Sequence, residues 1–216
     1  MVSRRKFMGL LAAIASCAEP LVSGFLSLIG KARAENVKKM IPAGTRREDL
    51  VHENPADLDS SRLEITPLEE FGTMGLEDYQ ADMNLWRLLV DGEVEEPLEL
   101  DYPTLKRLPW TEKSILMICR GFFVNNGLWK GVSTRELLRL ARPRAQTGYI
   151  LVQGPPGNYK KVEKFSLEEA LSDRLLLCYQ VNGATLPVKH GFPIRLAADG
   201  FWGDQWVKFV YKITVT

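Results

Sequence analysis

Strand-like runs in this sequence are separated by turns and by two short capped helices, with no regular alternation of strand and helix. That spacing excludes a repeating βαβ architecture and leaves a mixed one. "LWRLLVDGEVEEPLEL" is strand-like on both sides of Asp91-Gly92, a dipeptide favoured in hairpins. Ile115 to Ile118 and Leu175 to Val181 are apolar runs suited to buried strands, the second ending at the turn Asn182-Gly183. Tyr149 to Gln153 also reads as a strand. Ser133-Thr134-Arg135-Glu136 and Ser166-Leu167-Glu168-Glu169 have the spacing of capping boxes, and each opens a short helix. Pro143 closes the first of these. At the C-terminus "WVKFVYKITVT" alternates, which predicts Val207, Phe209, Tyr211, Ile213 and Val215 on one face and Lys208, Lys212 and Thr214 on the other. The class expected is α+β, a single mixed domain of short strands with few short helices.

With 216 residues, the chain is long enough for one domain and a leader. From Glu35 to about residue 84 it is polar and poorly periodic, interrupted by Pro42, Pro55 and Pro67. This predicts an extended arm that wraps the body. The domain proper is expected over 85–216. The formal net charge of +1 gives no reason to expect a nucleic-acid partner.

Charge is unevenly spread. Residues 1–34 hold Arg4, Arg5, Lys6, Lys31 and Arg33 against the single acid Glu19, so the body is mildly acidic. The leader runs from paired arginines through an apolar stretch to Ala32-Arg33-Ala34, the layout of an export signal. Ser3-Arg4-Arg5-Lys6-Phe7-Met8 has the form of a twin-arginine signal, which is a receptor-read address. A periplasmic location by the twin-arginine export machinery is expected, with cleavage after Ala34. A membrane anchor over Phe7 to Gly30 is the alternative, against which Glu19 and Pro20 interrupt the apolar stretch. Ile14-Ala15-Ser16-Cys17 also has the look of a lipoprotein box, which would leave a lipid anchor. Membrane contact is otherwise expected to be peripheral or none.

Three cysteines are present, Cys17 in the leader and Cys119 and Cys178 in the body. Two cysteines in an oxidising compartment make a disulfide the simplest expectation. Cys178 lies inside an unbroken apolar strand, where a thiol behaves as a small hydrophobe. Cys119 ends a strand and precedes Arg120 and Gly121, so a guanidinium and an open backbone would support a thiolate. Core residue, disulfide half and functional thiol remain open for Cys119 on these grounds. His52 reads as a solvated residue of the arm. His190 sits in "LPVKHGFPIRL", where Lys189, His190 and Arg195 make a basic, glycine-containing bend suited to an anion, which Lys208 could join. The spacings of zinc sites and of c-type haem attachment are absent, and "GPPGN" at residues 154–158 is a turn, not a phosphate loop.

Several segments, in order, resemble the molybdopterin-binding domain of the sulfite oxidase family. They are "LLVDGEVEEPLEL", "ICRG" followed by "WKGV" and the capped helix, "LEEAL", "VNGATLPVKHGFPIRL" and "WVKFVYKI". The resemblance includes the small bacterial periplasmic members, of the type that forms the catalytic subunit of a protein-methionine-sulfoxide reductase. It implies the sulfite-oxidase molybdopterin-binding fold and a molybdenum-molybdopterin cofactor. It also implies Cys119 as the only protein ligand to the metal and as the catalytic residue. His190, Arg195 and Lys208 fall on positions that hold the pterin and its terminal phosphate. Thr66, Glu70 and Phe71 fall near a segment that closes over the cofactor. Oxygen-atom transfer, a separate haem electron-transfer partner and a small-molecule or sulfoxide-type substrate are further implications.

One departure bears on substrate. Sulfite-oxidising members carry arginines a few residues beyond the ligand cysteine, whereas Phe122, Phe123, Val124, Asn125 and Asn126 stand here. An apolar wall receives a dianion poorly, so sulfite is not the expected substrate. Two other readings use the same residues. One is a hydrolase with Cys119 as nucleophile and His190 as base; the other is a binding module stapled by a Cys119–Cys178 disulfide.

Overall fold

The computed structural model describes residues 37–157 and 159–216. The leader expected over residues 1–34, with Cys17, lies outside the described residues. Lys38–Thr216 forms one compact unit.

The arm is a succession of turns and not a uniformly extended strand. β1 (Lys39–Met40) pairs in parallel with β2 (Leu58–Asp59), and 3-10 turns cover Arg47–Leu50, Pro55–Asp57 and Leu68–Glu70. Pro55 occupies the first position of one turn, where its fixed φ fits and its missing N–H costs nothing. Ile41, Leu50, Leu58 and Leu63 of the arm bury against Leu116, Ile118 and Val124 of the body. That shared cluster holds the arm in place.

Two five-stranded sheets follow. β3 (Leu88–Gly92) and β4 (Leu98–Leu100) form an antiparallel pair, and α1 (Tyr102–Arg107) begins where the Asp101 side chain accepts from the Thr104 N–H at 2.8 Å. β5 (Thr111–Cys119) and β6 (Phe123–Ser133) make a long hairpin, longer than the Ile115–Ile118 run suggests. α2 (Thr134–Ala141) forms only half of its expected capping box. Ser133 Oγ accepts from the Glu136 N–H at 3.2 Å, but the Glu136 carboxylate turns to Arg139. After β7 (Tyr149–Gln153) and β8 (Val162–Ser166), α3 (Leu167–Leu171) has the complete box, with Ser166 and Glu169 each bonded to the other's backbone N–H.

β9 (Leu175–Val181) turns at Asn182-Gly183, both with positive φ, into β10 (Ala184–Thr185). β11 (Arg195–Ala198) and β12 (Lys212–Val215) complete the sheets. One sheet runs β4-β3-β12-β7-β8; the other runs β10-β9-β6-β5, with β11 also paired to β9. Leu88, Val90, Ile150, Val152, Ile213 and Val215 of the first sheet and Leu175, Leu177, Val181 and Trp129 of the second share one apolar core.

Two sequence expectations change. Asp91-Gly92 is not the hairpin turn: both residues pair with β12, and the connection lies beyond them at residues 93–97. The Asp91 carboxylate accepts from Thr214 Oγ1 and pairs with Lys212, which keeps the dipeptide in the ladder. The C-terminal alternation holds only over Lys212–Val215. Phe209 takes a left-handed conformation, φ 55°, and breaks the strand there. Val207, Lys208, Phe209 and Val210 are consequently all buried, and Lys208 is not on a solvent face.

Candidate active site

Cys119 is the last residue of β5, and the chain reverses immediately after it. Gly121 has φ +77°, and the Phe122 N–H donates to the Cys119 carbonyl at 2.9 Å, closing the turn into β6. The half-buried thiol opens into a cavity of about 180 Å³, whose lining includes Met117, Phe123, Arg195, Trp206 and Lys208. Burial, and secondarily the Asp204 carboxylate, pushes the Cys119 thiol up, while Arg195 pulls it down. The support expected from Arg120 is not found. Its guanidinium lies 3.9 Å from the centroid of the Trp202 ring, stacked at the mouth of the site. The cation that acts on Cys119 comes from β11, not from the adjacent residue.

Arg195, His190 and Lys208 are brought together as the sequence predicts, and all three are buried. Arg195 opens β11. Its guanidinium donates to the His190 carbonyl at 3.3 Å and to Met117 Sδ at 3.1 Å, a weak acceptor, and its Nε has no partner. Lys208 donates to Thr73 Oγ1 at 2.6 Å and to the Leu76 carbonyl at 3.1 Å. Among the described residues neither cation is in an ion pair with a carboxylate. Burial lowers Arg195 to about 10; it also lowers Lys208 to about 8, with Arg195 adding to the shift. His190 lies in a 3-10 turn over Val188–His190, its ring 5.6 Å from that of Phe71, and both its ring nitrogens are unpartnered. Burial, then Arg195, Lys189 and Lys208, lower it to about 4. This is a buried cluster of positive charge and idle donors, the reverse of what a self-sufficient core contains.

A strap of the arm crosses this cavity, held by side chains that the sequence reading did not assign. Asn125 accepts from the Gly72 N–H at 3.0 Å and donates to the Gly72 carbonyl at 2.9 Å. Asn126 donates to the carbonyls of Leu63 and Glu64, and its backbone exchanges two bonds with Thr66. Asn182 donates to the Thr66 carbonyl at 2.9 Å. Thr66 is therefore buried in arm docking and does not line the cavity beside Cys119. Glu70 is exposed and paired with Arg47, and is not among the residues lining the cavity either. Phe71 and the residues after it cover the site, with Thr73, Met74 and Gly75 in its wall. The detectable signal was the adjacent Asn125 and Asn126 inside a strand-like run, where β structure has no use for two unpaired amides.

The thiols of Cys119 and Cys178 are both free, so no disulfide removes Cys119 from the cavity. Cys178 is fully buried in β9, and burial pushes its thiol well above the ordinary range. No histidine is among the residues lining the Cys119 cavity, so a base for a thiol hydrolase is lacking there. Larger hollows of about 360 and 490 Å³ lie at Gly44–Glu70 and around Tyr79–Tyr211, but neither contains the cysteine or the buried cations. Among the described residues no group of three or more His, Cys, Asp or Glu side chains could cage a metal ion. A metal here needs most of its ligands from a cofactor.

A soft thiol beside buried, unpaired cations and idle N–H donors suits an anionic cofactor carrying a thiophilic metal. The fold and this site suit a domain that binds molybdopterin. Residues 75–216 match the family described as the oxidoreductase molybdopterin binding domain, and the chain belongs to that family. The match starts inside the segment read as the arm, at the strap itself. Among solved structures the fold is similar to the sulfane dehydrogenase SoxCD from Paracoccus pantotrophus, with a TM-score of 0.60 and 23% identity. The alignment covers 70% of this chain and 46% of that one, so this chain spans about half of its length.

Proposed function

We propose that this chain is an exported molybdenum enzyme in which Cys119 would ligate the metal and whose chemistry is oxygen-atom transfer. The observation that carries this reading is a single shared cavity: the Cys119 thiol, the Arg195 guanidinium and the Lys208 ammonium all line it. When bound, the cofactor supplies two-electron oxygen-atom transfer at molybdenum. The chain supplies the rest. Cys119 binds as a thiolate, so the charge of the metal must reverse the upward push of burial on its thiol. Lys208 and Arg195 would hold the anionic groups of the cofactor in this cavity, and the family resemblance extends that role to His190, whose ring nitrogens have no partner but which does not itself line the cavity beside Cys119.

Substrate charge is set at the mouth. A second hollow of about 240 Å³ is lined by Met74, Cys119, Arg120, Phe122, Trp202 and Asp204. Phe122 is 71% exposed and lines the entrance. Asp204 offsets the charge of Arg120, which stacks on Trp202, so the mouth carries no net positive charge to attract a dianion. This mouth favours a neutral oxide such as a sulfoxide or an N-oxide and disfavours sulfite. The family resemblance supports a separate haem protein as electron partner. The twin-arginine motif supports the periplasm as the working compartment, with the export machinery as a transient partner.

The test is elemental analysis of full-length protein made in an export-competent host fed molybdate, beside a Cys119→Ala variant. The expected result is about one molybdenum per wild-type chain, with a Mo(V) signal on partial reduction that changes or disappears in the variant. A folded wild-type protein without molybdenum or pterin fluorescence would sink the reading.

A further inference from the structure

The cofactor-side cavity and the outer hollow share three wall residues, Met74, Cys119 and Asp204. Met74 Sδ lies 3.9 Å from Cys119 Sγ, while Met74 as a residue is 47% exposed. One side chain thus reaches from solvent to the thiol. We infer that Met74 is the partition between the two cavities and the residue that limits which molecules reach Cys119 from outside. The inference rests on the reading of Cys119 as the metal's ligand only for its catalytic meaning; the geometry belongs to the chain itself.

What fixes Met74 is the strap on either side of it. Asn125 holds Gly72 through both backbone groups, and a side chain at Gly72 would meet the Phe123 ring at 2.3 Å. Thr73 donates through Oγ1 to the Lys189 carbonyl at 3.2 Å and accepts from Lys208. Gly75 has φ +80° and lies against the Tyr159 hydroxyl, and the Leu76 carbonyl accepts from Lys208. Backbone on both flanks is pinned, so Met74 opens or closes the passage by changing rotamer and not by moving its main chain. An unbranched thioether with three rotatable bonds suits such a place, since it fills a gap and yields to a small molecule more readily than to a broad one.

Size is therefore the property that Met74 selects, while Phe122, Asp204 and the stacked Arg120 set polarity further out. The partition makes Met74 a specificity-determining residue for whatever oxide the site processes. It works before any chemistry, by access.

Access can be measured on full-length, metal-free protein by alkylating its thiols with iodoacetamide and, separately, with fluorescein-5-maleimide. Peptide mass spectrometry distinguishes Cys119 from Cys17 and Cys178. The ratio of bulky to small labelling rates at Cys119 cancels the thiolate fraction, which both reagents share. Met74→Ala is expected to raise that ratio about ten-fold, and Met74→Leu to restore it to the wild-type value. Met74→Phe should lower it below wild type. A Met74→Ala ratio equal to wild type, or a Met74→Leu ratio equal to that of Met74→Ala, would overturn the partition. Cys178 is an internal control for folding, because it reacts only when the core opens. Molybdenum content of the same variants made in a cofactor-producing host reports on the metal reading separately, so the two cannot fail unnoticed together.

Discussion

His190 shows how far this site departs from an ordinary core. Its ring is buried, both nitrogens lack partners, and its pKa is lowered to about 4, by burial first and then by Arg195 and the two lysines. The unfolded chain binds a proton near pH 6.5 and the folded one does not until about pH 4. Between those values the unfolded state holds more protons, so stability falls as pH drops through that window. Replacing His190 by leucine removes two unsatisfied buried atoms and keeps the volume, so the metal-free protein should gain about 1–2 kcal/mol at neutral pH. Urea unfolding at pH 7 and pH 5 measures this; the variant should lose less stability on acidification than the wild type. The same variant should retain less molybdenum. An unchanged acid response would mean that His190 is not the group responsible. Its place in a basic bend was legible from the sequence, but its burial was not, because the alternation around Lys208 breaks at Phe209.

At the scale of elements, β6 carries most of the organisation. It is the central strand between β5 and β9, yet its sequence contains Asn125, Asn126, Gly127 and Gly131, a composition that resembles a loop. The polar pair is there because β6 must hold the strap as well as its neighbouring strands. The unbroken apolar run of β9 was legible for the opposite reason: all its side chains but Gln180 answer only to the core. Two variants test the dual role. Asn125→Ala removes both bonds to Gly72 and should cost about 1–3 kcal/mol. Amide hydrogen exchange over residues 63–76 should accelerate more than exchange in β9. Equal acceleration in both would make the loss global and remove the specific link. Gly131 answers to β9 instead: an added Cβ would lie 2.0 Å from the Leu177 carbonyl oxygen, beside the register shift between Lys130 and Gly131. Gly131→Ala should destabilise by about 2–4 kcal/mol, since backbone and not a pliant side chain must move.

For the folded unit Lys38–Thr216, the site sits where its separate parts converge. Cys119 and Met117 come from one sheet, Tyr159 and Lys161 from the segment between β7 and β8 of the other, Lys208 from the irregular run before β12, and Thr73 and Met74 from the arm. A ligand filling this cavity would touch all of these at once and would stand beside Arg195 and Trp206, whose Nε and Nε1 donors have no partner among the described residues. Binding energy then appears as stability, because the unfolded chain has no such constellation. Full-length protein from a molybdopterin-producing host should therefore melt above the same protein from a host that cannot make the cofactor. A ligand present at the equivalent of a hundredfold over its Kd contributes about 2.7 kcal/mol, which for a domain of this size shifts Tm by roughly 5–10 °C. Lys208→Met should show a smaller shift between the two hosts than wild type, since one of the two buried cations is gone. Differential scanning calorimetry on the four preparations decides it. Coincident melts of loaded and unloaded wild type, with molybdenum confirmed in the first, would show that the cavity's unpaired cations do not depend on the cofactor for compensation.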